Sequence, residues 1–188
     1  MNLMISEITP QSTLEITRAN VSTETIFYAA SECILGQALV ARSVKGVCAV
    51  LLGDDPDQLK TDLAKRFPEL DFAPNDAAVH DDLAKLIRFV DKPSQGLHLR
   101  LDMRGTLLQR RVWEKLRAIP AGRIVTYTEV AYWVGPLTSA RMVAGACAAN
   151  PIALTIPCHR VIRSNGDLGG YRWGVERKRE MIRREAMA

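Results

Sequence analysis

The sequence predicts an α+β fold in two parts, a small α/β unit with a mainly antiparallel sheet and then a helical part carrying a helix-turn-helix. Three observations lead there. From Thr25 to Leu52 the chain is rich in Ile, Val, Leu, Ala and aromatic residues and is punctuated by Gly36, Gly46 and Gly53, the pattern of short strands joined by turns. After Arg104-Gly105 the apolar spacing becomes helical, with Leu108, Val112, Leu116 and Ile119 on one face. The charge divides at the same place. Residues 1–103 hold 10 Lys/Arg against 15 Asp/Glu, a balance of −5, and residues 104–188 hold 15 against 6, a balance of +9, within a net charge of +4.

A chain of 188 residues is ample for a hydrophobic core. Its 47% hydrophobic and 24% charged residues exclude disorder and argue against a coiled coil. No apolar run approaches the roughly 18 residues that span a bilayer. The opening MNLMISEITP lacks the basic and apolar regions of a secretory signal, so a cytoplasmic protein is expected.

In order along the chain, residues 1–20 read as a polar leader, and residues 21–103 as the first domain. Strands are expected at about Thr25–Ala30, Leu35–Arg42 and Gly46–Leu52, with Ser43-Val44-Lys45-Gly46 as a turn. Asp55-Pro56 opens a helix with Leu59, Leu63 and Phe67 on one stripe, and Pro68 stops it. Asn75/Asp76 cap a second helix whose Val79, Leu83, Leu86, Ile87 and Val90 share a face. Leu97, Leu99, Leu101 and Met103 alternate as in a half-buried strand. Residues 104–188 form the second domain. Its first helix runs from Thr106 to Ile119, and Thr126-x-x-Glu129 is a capping box for a short helix to Val134. Thr138/Ser139 cap a helix to about Ala149, and a basic helix runs from Val175 to the end with Val175, Ile182 and Met181 inward.

The helix after Ser139 carries Ala140, Ala144, Gly145, Ala146, Ala148 and Ala149, with Arg141 as its one long polar side chain. Small residues beside a lone Arg suit a narrow groove better than major-groove reading, which needs several long polar side chains; tight internal packing is the other reading. The basic half faces either a polyanion or only solvent. Cys33, Cys48, Cys147 and Cys158 include no C-x-x-C pair, so no zinc knuckle or redox motif is indicated. Cys158 stands out because Pro157 precedes it and His159 and Arg160 follow. A thiolate nucleophile needs such a base and positive field. On an extended chain, however, neighbouring side chains point to opposite faces, so His159 serves Cys158 only through a bend or a bridging water. A small buried cysteine remains the alternative.

IPCHRV, preceded by the small-residue helix and followed by the Gly169-Gly170-Tyr171-Arg172-Trp173-Gly174 loop, resembles the O6-alkylguanine-DNA alkyltransferases, or methylated-DNA–protein-cysteine methyltransferases. The likeness runs from about Ile26 to Glu185, is densest from Gly105 onward, and is greatest to the C-terminal alkyltransferase half of the bacterial Ada type. It implies a ribonuclease-H-like α/β domain followed by a winged-helix-like domain. It implies stoichiometric, irreversible transfer of the alkyl group of O6-alkylguanine, secondarily of O4-methylthymine, in double-stranded DNA to Cys158, with the base flipped out of the duplex. It also implies the roles. His159 takes the thiol proton through a water, Glu185 orients His159, and Asn150 orders the local turn. Tyr127 presses on the 3′ phosphate and protonates the leaving guanine at N3. Arg141 fills the gap in the duplex, beside Ala140, Ala144 and Gly145.

Pro157, Val161, Tyr171 and Trp173 are expected to wall the pocket; Trp173 stands where some relatives carry glycine and is expected to favour methyl over benzyl. No cofactor and no metal are expected, since Cys33 and Cys48 have no matching histidine pair. A monomer is expected. Alkyltransferase-like binders lack the acceptor cysteine, a cysteine hydrolase leaves the helix-turn-helix unexplained, and a transcription regulator requires a more polar recognition helix.

Overall fold

The computed structural model describes residues 24–74 and 77–188. The expected leader and the expected cap at Asn75/Asp76 lie outside the described residues.

Three strands, β1 (Thr25–Cys33), β2 (Gly36–Ser43) and β3 (Gly46–Gly53), form an antiparallel meander. Their register pairs Ala29 with Val40 and Val40 with Val50. Gly46 closes the second turn at φ +144°, and a Cβ there would stand 2.5 Å from the Arg100 carbonyl oxygen, so only glycine fits. Helix α1 (Pro56–Arg66) starts at Asp55, whose carboxylate accepts from the Asp57 amide at 2.9 Å. A short strand β4 (Asp71–Pro74) then returns parallel to β1, giving the order β3-β2-β1-β4. Helix α2 (Ala77–Asp91) packs on β1 and β2.

β3 is buried along almost its whole length because both faces are covered. Leu39, Ala49 and Leu51 meet Leu59 and Leu63 of α1 on one side. Ala38, Val40, Val50 and Leu52 belong to a larger core with Val79, Leu86, Phe89 and Val90 of α2. That core runs on without a break into Val112, Trp113 and Leu116 of the second half. Each such side chain contributes about 1.5–3 kcal/mol by leaving water.

Two expectations differ here. Leu97–Met103 is not a strand. Only Leu101 bridges Val47, with the Val47 amide donating to the Arg100 carbonyl at 2.8 Å and the Asp102 amide to the Val47 carbonyl at 2.8 Å. The alternation of Leu97, Leu99 and Leu101 reflects an extended segment that touches the sheet at this point. The four residues of β4 carry no long alternating run, so this strand has no signature in the sequence.

In the second half, α3 (Leu107–Arg117) begins with a full Thr106/Gln109 capping box. A two-residue strand β5 (Val125–Thr126) leads into α4 (Tyr127–Val134), opened by the Thr126/Glu129 box. Gly135 at φ +138° ends α4, and Ser139 caps α5 (Ala140–Ala149). The indole of Trp113 donates to the Ala146 carbonyl at 2.9 Å and so fixes α5 on α3. A buried segment leads to a 3-10 turn at Cys158–Arg160 and then β6 (Val161–Ile162), parallel to β5. The final helix is α6 (Val175–Ala186). Its buried face is Lys178, Met181 and Glu185, while Val175 and Ile182 are only half-buried, a correction to the expected face. Polar groups turn inward because both Lys178 and Glu185 have bonding partners there.

Candidate active site

Everything from Asn150 to Val161 is buried, an unusual state for a connecting segment. Its backbone polar groups therefore need partners, and the first half supplies some of them. The Val50 amide of β3 donates to the Pro151 carbonyl at 2.9 Å, and the Ala153 amide donates to the Val50 carbonyl at 3.0 Å. Leu154 adopts a left-handed conformation at φ +65°, a strained state for a branched side chain held by its surroundings. The Cys158 amide donates to the Ile156 carbonyl at 2.8 Å as the chain enters the 3-10 turn. The backbone therefore bends between Cys158 and His159.

Asn150, fully buried at the end of α5, organises this segment. Its Oδ1 accepts from the Ile152 amide at 2.8 Å, and its Nδ2 donates to the Ile156 carbonyl at 3.0 Å and to Cys158 Sγ at 3.3 Å. Burial pushes the Cys158 thiol up to about 11, although the Asn150 bond and the Lys178 charge pull the other way. At neutral pH the sulfur is a thiol and needs a base to become a nucleophile.

His159 is fully buried, and its Nε2 lies 2.9 Å from Glu185 Oε1. Burial holds the imidazole below its usual range despite this carboxylate. Burial alone raises a carboxyl, but the bonds from His159 and Arg160 outweigh it and hold Glu185 at about 2. A carboxylate only accepts, so the neutral imidazole donates from Nε2 and its Nδ1 is the basic nitrogen. Nδ1 is buried and has no hydrogen-bond partner among the described residues. Arg160 grips the same carboxylate, Nε to Oε2 at 2.9 Å and Nη2 to Oε1 at 2.7 Å, and also donates to the Ile119 carbonyl. The Gly122 amide adds a bond to Oε2 at 3.2 Å.

Lys178 was not anticipated. It is fully buried and donates to the Val161 carbonyl at 2.6 Å and to the Leu168 carbonyl, with burial lowering its pKa. The signal was available in the spacing Lys178–Met181–Glu185, i, i+3, i+7, which places it on the face of Glu185. Arg160 likewise stood in the motif without an assigned role.

A cavity of about 340 Å³ opens at Cys158 and is lined also by Tyr127, Ala144, Cys147, Ala148, Gly170, Tyr171 and Arg172. The β5–β6 pairing of Val125 with Val161 brings Tyr127 to this wall. Burial, with the neighbouring cysteines adding to it, raises the Tyr127 hydroxyl to about 12. Of the expected pocket residues, Tyr171 lines the cavity, whereas Pro157, Val161 and Trp173 do not. Val161 is taken up by β6, and Trp173 packs edge-on against Tyr171 with ring centroids 5.1 Å apart. Arg141 and Gly145 are exposed on α5 and Ala140 is half-exposed, none of them at the cavity wall. Among the described residues, no cluster of three or more His, Cys, Asp or Glu is placed to hold a metal ion. No described helix is long and apolar enough to cross a membrane.

Residues 107–187 match the family described as the 6-O-methylguanine DNA methyltransferase, DNA binding domain. The chain is 47% identical over 159 residues to the bifunctional transcriptional activator/DNA repair enzyme Ada of Escherichia coli, covering 85% of this chain but 45% of that protein. It therefore spans less than half the length of that relative. It is 33% identical over 172 residues to the methylated-DNA–protein-cysteine methyltransferase of Candida albicans, covering 86% of this chain and 97% of the relative. The Mycobacterium tuberculosis OGT solved in complex with DNA is similar in structure, with a TM-score of 0.68, 28% identity, and coverage of 87% of this chain and 93% of that one.

Proposed function

The chain belongs to the family of methylated-DNA–protein-cysteine methyltransferases, and on that premise we propose that it repairs O6-alkylguanine, mainly O6-methylguanine and secondarily O4-methylthymine, in duplex DNA by moving the alkyl group irreversibly onto its own Cys158. The observation that carries this reading is the buried line from Cys158 through His159 to Glu185, with Cys158 at one end open to a cavity and the basic Nδ1 of His159 free of partners among the described residues.

The chemistry follows from those groups. The damaged nucleotide leaves the stack, at a cost of a few kcal/mol, and enters the cavity. Arg141, exposed on the first turn of α5, occupies the gap, and Ala140, Ala144 and Gly145 let the helix approach the groove closely. His159 Nδ1 takes the Cys158 proton through a bridging water, and Glu185 stabilises the imidazolium that forms. The thiolate attacks the alkyl carbon. A carbon–sulfur bond forms, the carbon–O6 bond breaks, and its electron pair stays with guanine. Tyr127 gives its proton to N3, because an anionic guanine is a poor leaving group. With its hydroxyl at about 12, Tyr127 still carries that proton at neutral pH. Nothing returns the thioether to a thiol, so each molecule acts once.

Residues 21–103 are assigned to a ribonuclease-H-like domain, which the β3-β2-β1-β4 order with a parallel fourth strand supports. Residues 104–188 are assigned to the DNA-binding and alkyltransferase domain, with α4 and α5 as a helix-turn-helix of winged-helix-like type. The protein is proposed to act as a cytoplasmic monomer without a cofactor. The test is to incubate it with a duplex containing O6-methylguanine and weigh both partners. One methyl appears on the Cys158 peptide and saturates at one per protein. Sustained turnover, or binding without a mass change, overturns the proposal.

A further inference from the structure

Two arginines meet at the C-terminal end of α5, one from each half of the chain. Arg66, in the last turn of α1, donates from Nη2 to the Ala149 carbonyl. Arg172, in the glycine-rich loop, donates from Nη1 to the Ala148 carbonyl at 3.2 Å. Among the described residues neither forms an ion pair with a carboxylate. Each guanidinium has five N–H donors and spends one of those bonds here. Burial, and then the charge of Arg172 beside it, lowers the Arg66 guanidinium to about 10. Two like charges are thus held together without a counter-charge, in a chain whose first half carries a net −5.

Their place on α5 indicates the anion they suit. The exposed residues of α5 are Arg141, Met142, Gly145 and Ala148, a stripe along one side. Arg141 stands at one end of this stripe and the arginine pair at the other, about 12 Å apart at the rise of an α-helix. Arg172 also lines the cavity that opens at Cys158. A polyanion lying along the stripe passes both ends, and a planar guanidinium fork matches the oxygens of a phosphodiester. We propose that Arg66 and Arg172 together clamp one backbone phosphate of the duplex, which makes the first half of the chain part of the DNA interface. This rests on the reading of the protein as a repair protein acting on duplex DNA. The competing role is a plain cap on α5, satisfying its last carbonyls and its dipole.

Anisotropy titrations with an unmodified duplex, over about 50–200 mM salt, separate the two. For the double variant Arg66→Gln/Arg172→Gln, the slope of log K against log salt becomes shallower by about 0.9, one phosphate's worth. Each single variant loses no more than the double, since the phosphate is shared, and the paired change to Lys keeps the slope. A scan of single methylphosphonate substitutions finds one position that weakens wild-type binding several-fold and leaves the double variant unaffected. An unchanged slope in a folded double variant, or no such position in the scan, overturns the clamp. The scan on wild type and the Lys variants decide the matter if the Gln variants fail to fold. Wild-type protein that binds no duplex removes both this inference and the repair reading. Duplex bound with the expected slope but no methyl transferred removes only the repair reading.

Discussion

Replacing Glu185 by Gln tests the centre of the site, and its cost can be worked out in two ways. The carboxylate is 1% exposed and accepts from His159, twice from Arg160, and from the Gly122 amide. These bonds bring its pKa from 4.5 to about 2 against the opposing effect of burial. A carboxyl with a folded pKa below its unfolded value stabilises the protein fully above the unfolded value and loses that contribution as pH falls through the folded one. The difference corresponds to about 3 kcal/mol, present at neutral pH and lost between about pH 4.5 and 2. Independently, breaking a buried ion pair by neutralising one partner costs about 3–5 kcal/mol, because the Arg160 charge is left short of acceptors. Urea unfolding at neutral pH is expected to show a loss of this size as a lower midpoint with the same m-value. The gap between variant and wild type should then narrow as pH falls below 4.5. A loss under about 1 kcal/mol, or a gap independent of pH, refutes the reasoning. Methyl transfer in the same variant should slow by about 10²-fold or more, since the His159 tautomer is no longer imposed.

Cys158→Ser should abolish transfer yet retain binding to a duplex, as read by gel shift and intact mass. Tyr127→Phe removes the proton donor, and single-turnover methyl transfer should slow by roughly 10²–10⁴-fold with little change in duplex affinity. In the protein free of DNA, alkylation of Cys158 by iodoacetamide should climb with pH up to about 11, where burial has placed the thiol; a plateau near the value of a free cysteine contradicts that placement. O6-benzylguanine should inactivate wild type more slowly than methylated DNA does, and Trp173→Gly should narrow the difference by freeing Tyr171, on which Trp173 packs. Equal rates in wild type remove the pocket argument.

How much was legible follows from where each signal resides. The strands β1–β3 and the helices were readable because periodicity and caps are local. Asp55, Thr106, Thr126 and Ser139 each cap the helix they announce. β4 and the β5–β6 pair were not, since strands of two to four residues exist only through their partners. Leu97–Leu101 misled for the same reason, as its alternating segment meets β3 only at Val47. At the site, Cys158 and His159 were visible as a motif, whereas Lys178 was hidden by composition. In a basic helix a lysine reads as solvated until two carbonyls, those of Val161 and Leu168, are seen to enclose it. The resemblance places Trp173 at the wall; its ring packs instead on Tyr171.

The high pKa of the thiol suits the proposed reaction, in which each molecule acts once. An exposed cysteine near its ordinary pKa reacts with any soluble electrophile, and under the proposed reaction every such event wastes a molecule. Burial keeps Cys158 protonated at neutral pH, which lowers its nucleophilicity in the absence of a base. The same burial keeps His159 neutral, and therefore a base, while Glu185 stays ionised to hold it. One physical cause, exclusion of water, thus holds both the acid and the base in their neutral forms. The ion pair with Arg160 is what allows a carboxylate to remain charged in that setting. The first half of the chain contributes to this arrangement by holding the segment on either side of the asparagine that touches the sulfur: β3 bonds Pro151 and Ala153, and Arg66 bonds Ala149. The geometry around Cys158 is therefore set by both halves, although the groups of the proposed reaction all come from one.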